Sequence, residues 1–245
     1  MNPVLDLKRL GYFIKRQLFL NINALWIAIG AVGGALLVIS ALFAYFNPEV
    51  DTLFGLRNLY LVVLFGAGFI FTSMVFNEMN TPQKSVTFLT LPVSTLERLL
   101  GAWLVSSPVF LLLFGAFMLL LTLISTLLAG QPEALSYLFD RDVLICVKVY
   151  LVTQTIFFVG ACAFKGNSFL KTLLALFVVA MIITAYSGSL GFLLFGKAGV
   201  KVGPDGEFKD TVEYIFTKVI PFLFWYVLAP FMLVVSYYKL RERQV

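Results

Sequence analysis

Residues 77–104 read NEMNTPQKSVTFLTLPVSTLERLLGAWL. This is a polar island between two long apolar runs, and it carries four charges, Glu78, Lys84, Glu97 and Arg98. It holds two helix-start signals. Thr81-Pro82 sets a capping hydroxyl before a proline whose fixed φ suits the first helical position. Ser94-Thr95-Leu96-Glu97 has the capping-box spacing, in which the serine accepts from the glutamate amide and the glutamate reaches back to the serine. Between them lies Leu91-Pro92, where the proline disfavours helix in the residue before it. The spacing predicts a short helix from Pro82 to Thr90, a bend, and a second helix that starts at Thr95 and continues into the apolar run 99–129. An island of this kind links two membrane-crossing helices and carries a helix of its own.

The composition supports that placement. The chain has 245 residues, is 60% hydrophobic and only 13% charged, against about 25% charged in an ordinary soluble domain. Six runs are long enough to cross a hydrocarbon core of about 30 Å: 25–45, 58–76, 99–129, 143–164, 170–195 and 219–238. The longest polar segment is about twenty residues, which leaves no room for a soluble catalytic domain. The expected fold is therefore all-α, one polytopic transmembrane domain over residues 1–245. The net charge of +5 reads as membrane-side lysine and arginine. No basic cluster with interleaved aromatics stands outside the apolar runs, so no nucleic-acid partner is expected.

Several chemistries have no residues to carry them. The chain contains no histidine, which removes HExxH-type metal sites and most general-base proton chemistry. Cys146 and Cys162 fall in one predicted helix, about 24 Å apart along its axis, and cannot bridge each other. Ser187-Gly188-Ser189 lacks the GxSxG order of a nucleophile elbow. A phosphate-binding GxxxxGK[ST] loop is absent, and Gly166-Asn167-Ser168 does not replace it. No catalytic residue, cofactor or metal site is expected, and the chain is not read as an enzyme.

The remaining segments follow the same logic. Lys8, Arg9, Lys15 and Arg16 form two basic pairs seven residues apart, with Leu10, Phe13, Ile14 and Leu18 at three–four spacing. This predicts an amphipathic surface helix with its charges toward lipid phosphates. Gly30 and Gly34 form a GxxxG pair suited to close helix packing, and Gly66 and Gly68 suggest a second tight contact. Ser106-Ser107-Pro108 predicts a kink in the third run, and Pro221 and Pro230 predict bends in the sixth. Leu135–Phe139 suits a short interfacial helix. Residues 200–209 suit a small hairpin, and Asp210 with Glu213 suits a helix restart near Thr211. Lys148 lies inside the fourth run, where it either snorkels to the interface or lines a substrate path. Gln154 stands near the middle of that run, as an interhelical hydrogen bond or as a ligand contact.

The run Phe88–Leu104, with its Leu91-Pro92-Val93-Ser94 step followed by Glu97 and Arg98, resembles the cytoplasmic loop of the type-two ABC permeases, the membrane subunits of ABC exporters. The six-span layout with an amphipathic start is similar to that family over the whole chain. The resemblance implies an N-terminal elbow helix and a coupling helix between spans two and three that docks on a separate cytoplasmic ATPase. It also implies a second permease subunit, in a homodimer or heterodimer, and export driven by ATP bound elsewhere. Within the loop it points to Glu78, Lys84, Phe88, Leu91, Pro92 and Glu97 as coupling residues. With both termini in the cytoplasm of an inner or plasma membrane, eleven of the eighteen basic residues lie inside, as the positive-inside rule favours. The alternative function is an ion-coupled secondary transporter or channel. No acid falls inside a predicted span, which disfavours proton coupling but leaves sodium coupling through backbone carbonyls open.

Overall fold

The apolar runs are helices because no water competes for their backbone in a bilayer, and a helix satisfies every N–H and C=O within one segment. The computed structural model describes residues 5–20, 22–80, 82–131, 140–195 and 213–243. Among these residues there is no β-strand, and six helical runs are long and apolar enough to cross a membrane. The chain is a multi-pass membrane protein.

Helix α1 spans Leu7–Leu20, α2 Ile22–Phe46 and α3 Val50–Met74. A 3₁₀ turn at Asn77–Asn80 leads to α4, Pro82–Leu89, and then to α5, Thr95–Leu104. A π-turn at Val105–Val109 joins α5 to α6, Phe110–Ala129. Helices α7, Arg141–Ala163, and α8, Ser168–Phe195, follow. The sixth run alternates π-turns at Ile215–Val219 and Leu223–Val227 with the single turn Ile220–Phe222, and closes with α9, Leu228–Glu242.

The helix of the second span, α3, begins eight residues before the expected span, at Val50 instead of 58. The reason is Arg57, which looks like a loop residue in sequence but is buried and paired. Its guanidinium donates to Asp140 at 3.1 Å and sits 3.8 Å over the Phe54 ring. The pair permits a cation inside an apolar helix. The expected helix at 135–139, the hairpin at 200–209, and the Thr81 and Asp210 caps lie outside the described residues.

Each π-turn lies at or just before a proline: Pro108 within the first, Pro221 after the second, Pro230 after the third. A proline donates no N–H, and its ring crowds the carbonyl four residues back; widening the helix by one residue relieves that clash. The prolines expected to bend these runs thus coincide with π-turns inside continuous helical runs.

The structure corrects the glycine reading of α2. Among the described residues, a side chain at Gly30 or Gly34 would meet nothing, whereas one at Gly33 would lie 2.9 Å from Phe117 of α6. The packed face of α2 is therefore one residue away from the GxxxG stripe. On α3, Gly68 is pressed against Tyr150, and Gly66 has no neighbour among the described residues.

Two apolar clusters stack along the bundle. One joins α2, α3, α6 and α7 through Leu36, Leu64, Leu121 and Tyr150. The other lies at the end that holds the 77–94 loop and joins Phe13, Phe76, Phe88, Leu99, Phe158 and Leu240. Arg243, the last described residue, donates to Asn80 at 3.2 Å, so both ends of the described chain lie at this loop end, as an even number of crossings requires. The fifth and sixth runs bury little of their apolar surface within the chain.

Candidate functional site

In the loop expected from residues 77–104, the second cap, at Ser94, forms where the sequence puts it. Helix α4 starts at Pro82, and the chain bends through residues 90–94. The capping box is complete: the Glu97 amide donates to Ser94 Oγ at 3.2 Å, and the Ser94 amide donates to Glu97 Oε2 at 2.8 Å. The guanidinium of Arg98 donates to Leu91 O at 3.0 Å and lies 5.3 Å from the centre of the Phe88 ring. The bend is thereby closed by a side chain from the helix that follows it.

The loop is tied to α1 at two points two helical turns apart. Arg9 donates to Glu97 Oε1 at 3.0 Å, and the Asp6 amide donates to the same oxygen at 2.6 Å. Arg16 donates to Glu78 at 3.1 Å, and Gln17 donates to the Val75 carbonyl at 2.8 Å. Between the two ion pairs, Phe13 meets Phe88 edge-on at 6.1 Å and packs where a Cβ on Gly101 would stand 2.6 Å from its ring. Gly101 lets the Phe13 ring and the Leu10 side chain of α1 pack directly on the α5 backbone, and any side chain there would have to displace them. This amends the reading of α1. Of its two basic pairs, Arg9 and Arg16 turn inward to loop carboxylates, while Lys8 and Lys15 stay exposed.

The six expected loop residues thus divide by position. Glu97 and Phe88 are fully buried and Glu78 nearly so. Lys84 and Pro92 are exposed, and Leu91 is half-buried. Val86 is also exposed, an aliphatic side chain on the same short helix. The neighbourhood of the loop is completed by Arg243, which donates to the Ala161 and Cys162 carbonyls at 3.2 Å each. These are last-turn carbonyls of α7, where a cation complements the helix dipole. Burial pulls the Arg243 guanidinium below its ordinary value, but such a group stays charged at any physiological pH.

A second polar group lies deeper, at the π-turn. A π-turn bonds each amide to the carbonyl five residues back, and here the Phe110 amide donates to Val105 O. In an α-helix that amide would go to Ser106 O. The released Ser106 carbonyl accepts instead from Gln154 Nε2 at 2.6 Å, and the same nitrogen donates to Thr72 Oγ1 at 2.8 Å. Gln154, Thr72 and Ser106 are all buried. Gln154 therefore joins α3, α7 and the third run as an interhelical hydrogen bond. Lys148 is exposed on α7, apart from this group, and no ion pair holds it among the described residues.

Sequence reasoning missed Arg9, Arg16, Arg57, Asp140 and Arg243 as partners of named groups. A signal existed for the first two: Arg9 and Arg16 stand seven residues apart on the same flank as Phe13 and face a loop with two acids. For Arg57 and Arg243 no local pattern names the partner. Among the described residues no cluster of histidine, cysteine, aspartate or glutamate is disposed to hold a metal. Comparison with protein-family models, curated proteins and solved structures finds no match.

Proposed function

We propose that the chain is the permease subunit of an ATP-driven ABC exporter, working with a separate cytoplasmic ATPase and a second permease subunit. The observation that carries this reading is the construction of the loop. Helix α4 is short and presents Lys84 and Val86 outward, Pro92 is exposed in the bend that follows it, and the loop is bound to α1 through Phe88, Glu78 and, at the base of the third run, Glu97. A helix held this way moves as one body with α1 and α5. A force applied at Lys84, Val86 and Pro92 reaches the spans through Glu78, Phe88 and Glu97. In this reading the first three, with the half-buried Leu91 behind them, form the docking face, and the buried three transmit. Helix α1 serves as the elbow helix, and both termini face the cytoplasm.

The π-turn fits the same mechanism. It separates α5, which packs with α1 and α9, from α6, which packs with α2 and α3. A π-turn within a long helix is a natural hinge, and Gln154 sets its rest position. Tilting α5 on this hinge rearranges the path without unfolding either half.

The test is a mild-detergent pull-down from native membranes with the bound proteins identified. A stoichiometric cytoplasmic ATPase is expected. Lys84→Glu or Pro92→Ala should release it while thermal unfolding of the permease is unchanged. Recovery of the chain without any ATPase would overturn the proposal.

A further inference from the structure

With Arg9 and Arg16 committed to Glu97 and Glu78, the outer face of α1 carries a regular pattern. Lys8, Tyr12, Lys15 and Phe19 follow a spacing of four, three and four, which places them within about 60° of one another around the helix. All four are exposed, Tyr12 at 73% and Phe19 at 60%. The inner face is already filled by Leu10 and Phe13. A solvated helix face does not alternate cations with large aromatic rings. A face at the border of hydrocarbon and headgroups does: the rings enter the acyl boundary and the lysine stems reach up to phosphate oxygens.

We propose that this stripe is a binding surface for anionic phospholipid, with Lys8 and Lys15 each meeting a headgroup phosphate and Tyr12 and Phe19 seated between acyl chains. The proposal goes beyond the exporter reading and stands without it. Charge complementarity selects the anionic class. The stripe carries two lysines and no acid; of the nearby acids, Glu97 and Glu78 are engaged by the arginines, and Asp6 accepts from the Lys8 amide and lies 3.8 Å from Arg9. A zwitterionic headgroup brings its own cation and gains little from the lysines. Because α1 is bonded to the loop at Glu78 and Glu97, lipid held on this stripe also sets where the loop stands relative to the membrane surface.

The experiment uses the full chain purified in neutral detergent. It is titrated with phosphatidylglycerol or phosphatidylcholine, and retained lipid is counted by native mass spectrometry. A lysine beside an anionic surface contributes roughly a fivefold preference, so two give about 30-fold. Wild type should retain phosphatidylglycerol over phosphatidylcholine, and Lys8→Gln/Lys15→Gln should lose about 30-fold in that preference. Lys8→Arg/Lys15→Arg should keep it, and inorganic phosphate should not displace the lipid. Equal retention of the two lipids by wild type would overturn the proposal whatever the variants do. So would an unchanged preference in the glutamine variant, displacement by inorganic phosphate, or protection of Lys8 and Lys15 from amine labelling by a protein partner in native membranes.

Discussion

Arg9 and Glu97 lie 88 residues apart in the chain and meet at 3.0 Å, with the carboxylate wholly buried and the guanidinium partly exposed. The same carboxylate completes the capping box of α5 and accepts from the Asp6 amide. One side chain therefore starts a helix, closes a loop and anchors the N-terminal helix. A buried carboxylate is tolerated only when its oxygens are filled by donors, and here the donors come from two distant segments.

Glu97→Ala should destabilise the chain by about 3 kcal/mol, since it removes a cap and strands the Arg9 guanidinium and two amides. Glu97→Gln should cost less, because the amide oxygen keeps part of the cap. Thermal unfolding in detergent, with hydrogen exchange over residues 7–20, measures both. Full protection of α1 in the alanine variant would show that the ion pair does not hold it.

Neighbouring glycines should respond in opposite ways. Gly68→Ala places a methyl 2.6 Å from Tyr150 Cζ, and that ring is hemmed in by Phe65, Phe69 and Phe110. Overpacking of this kind costs about 1–3 kcal/mol. Gly66→Ala meets open space and should be neutral or slightly stabilising. Equal effects at the two positions would contradict the packing of α3 on α7.

Gln154→Leu should leave the Ser106 carbonyl and the Thr72 hydroxyl without their donor, at a cost of about 2 kcal/mol. The amides of residues 105–107, 109 and 110 should exchange faster as the π-turn loses its lock. Asymmetric loosening confined to that turn is the expected signature, and exchange spread evenly over the bundle would speak against a hinge.

Asp140→Ala should strand the buried Arg57, 5% exposed, and remove the Asp140 bond to the Arg141 amide at the start of α7. A loss of about 2–4 kcal/mol is expected. Arg57→Leu/Asp140→Ala together should recover much of it, because an apolar residue replaces the cation in an apolar setting. Thermal unfolding of the single and double variants measures the coupling.

The fold was legible in the sequence wherever the signal was local. The six runs, the helix from Pro82, the capping box at Ser94 and the bend at Leu91-Pro92 all follow from hydropathy, a fixed φ or a bond spanning three residues. The site was legible only in part. Residues 77–104 were identifiable as the loop, but which of Glu78, Lys84, Phe88, Leu91, Pro92 and Glu97 point in or out was not. That depends on α1, which arrives from more than sixty residues upstream.

The amino-acid sequence by itself determined the helical class, the number of apolar runs, the starts of α4 and α5 and the prolines at which the third and sixth runs depart from regular α-helix. These are set by chain-local energies: desolvation of the peptide group, capping and proline sterics. Only the tertiary structure decided that Arg9 and Arg16 face carboxylates while Lys8 and Lys15 face outward, that Gly33 and not Gly30 is packed, and that Gln154 holds the π-turn. In a bilayer the lipid-facing and protein-facing sides of a helix are equally apolar, so composition does not tell them apart. Shape and the few polar partners choose the contact, and those partners are known only once the helices are brought together.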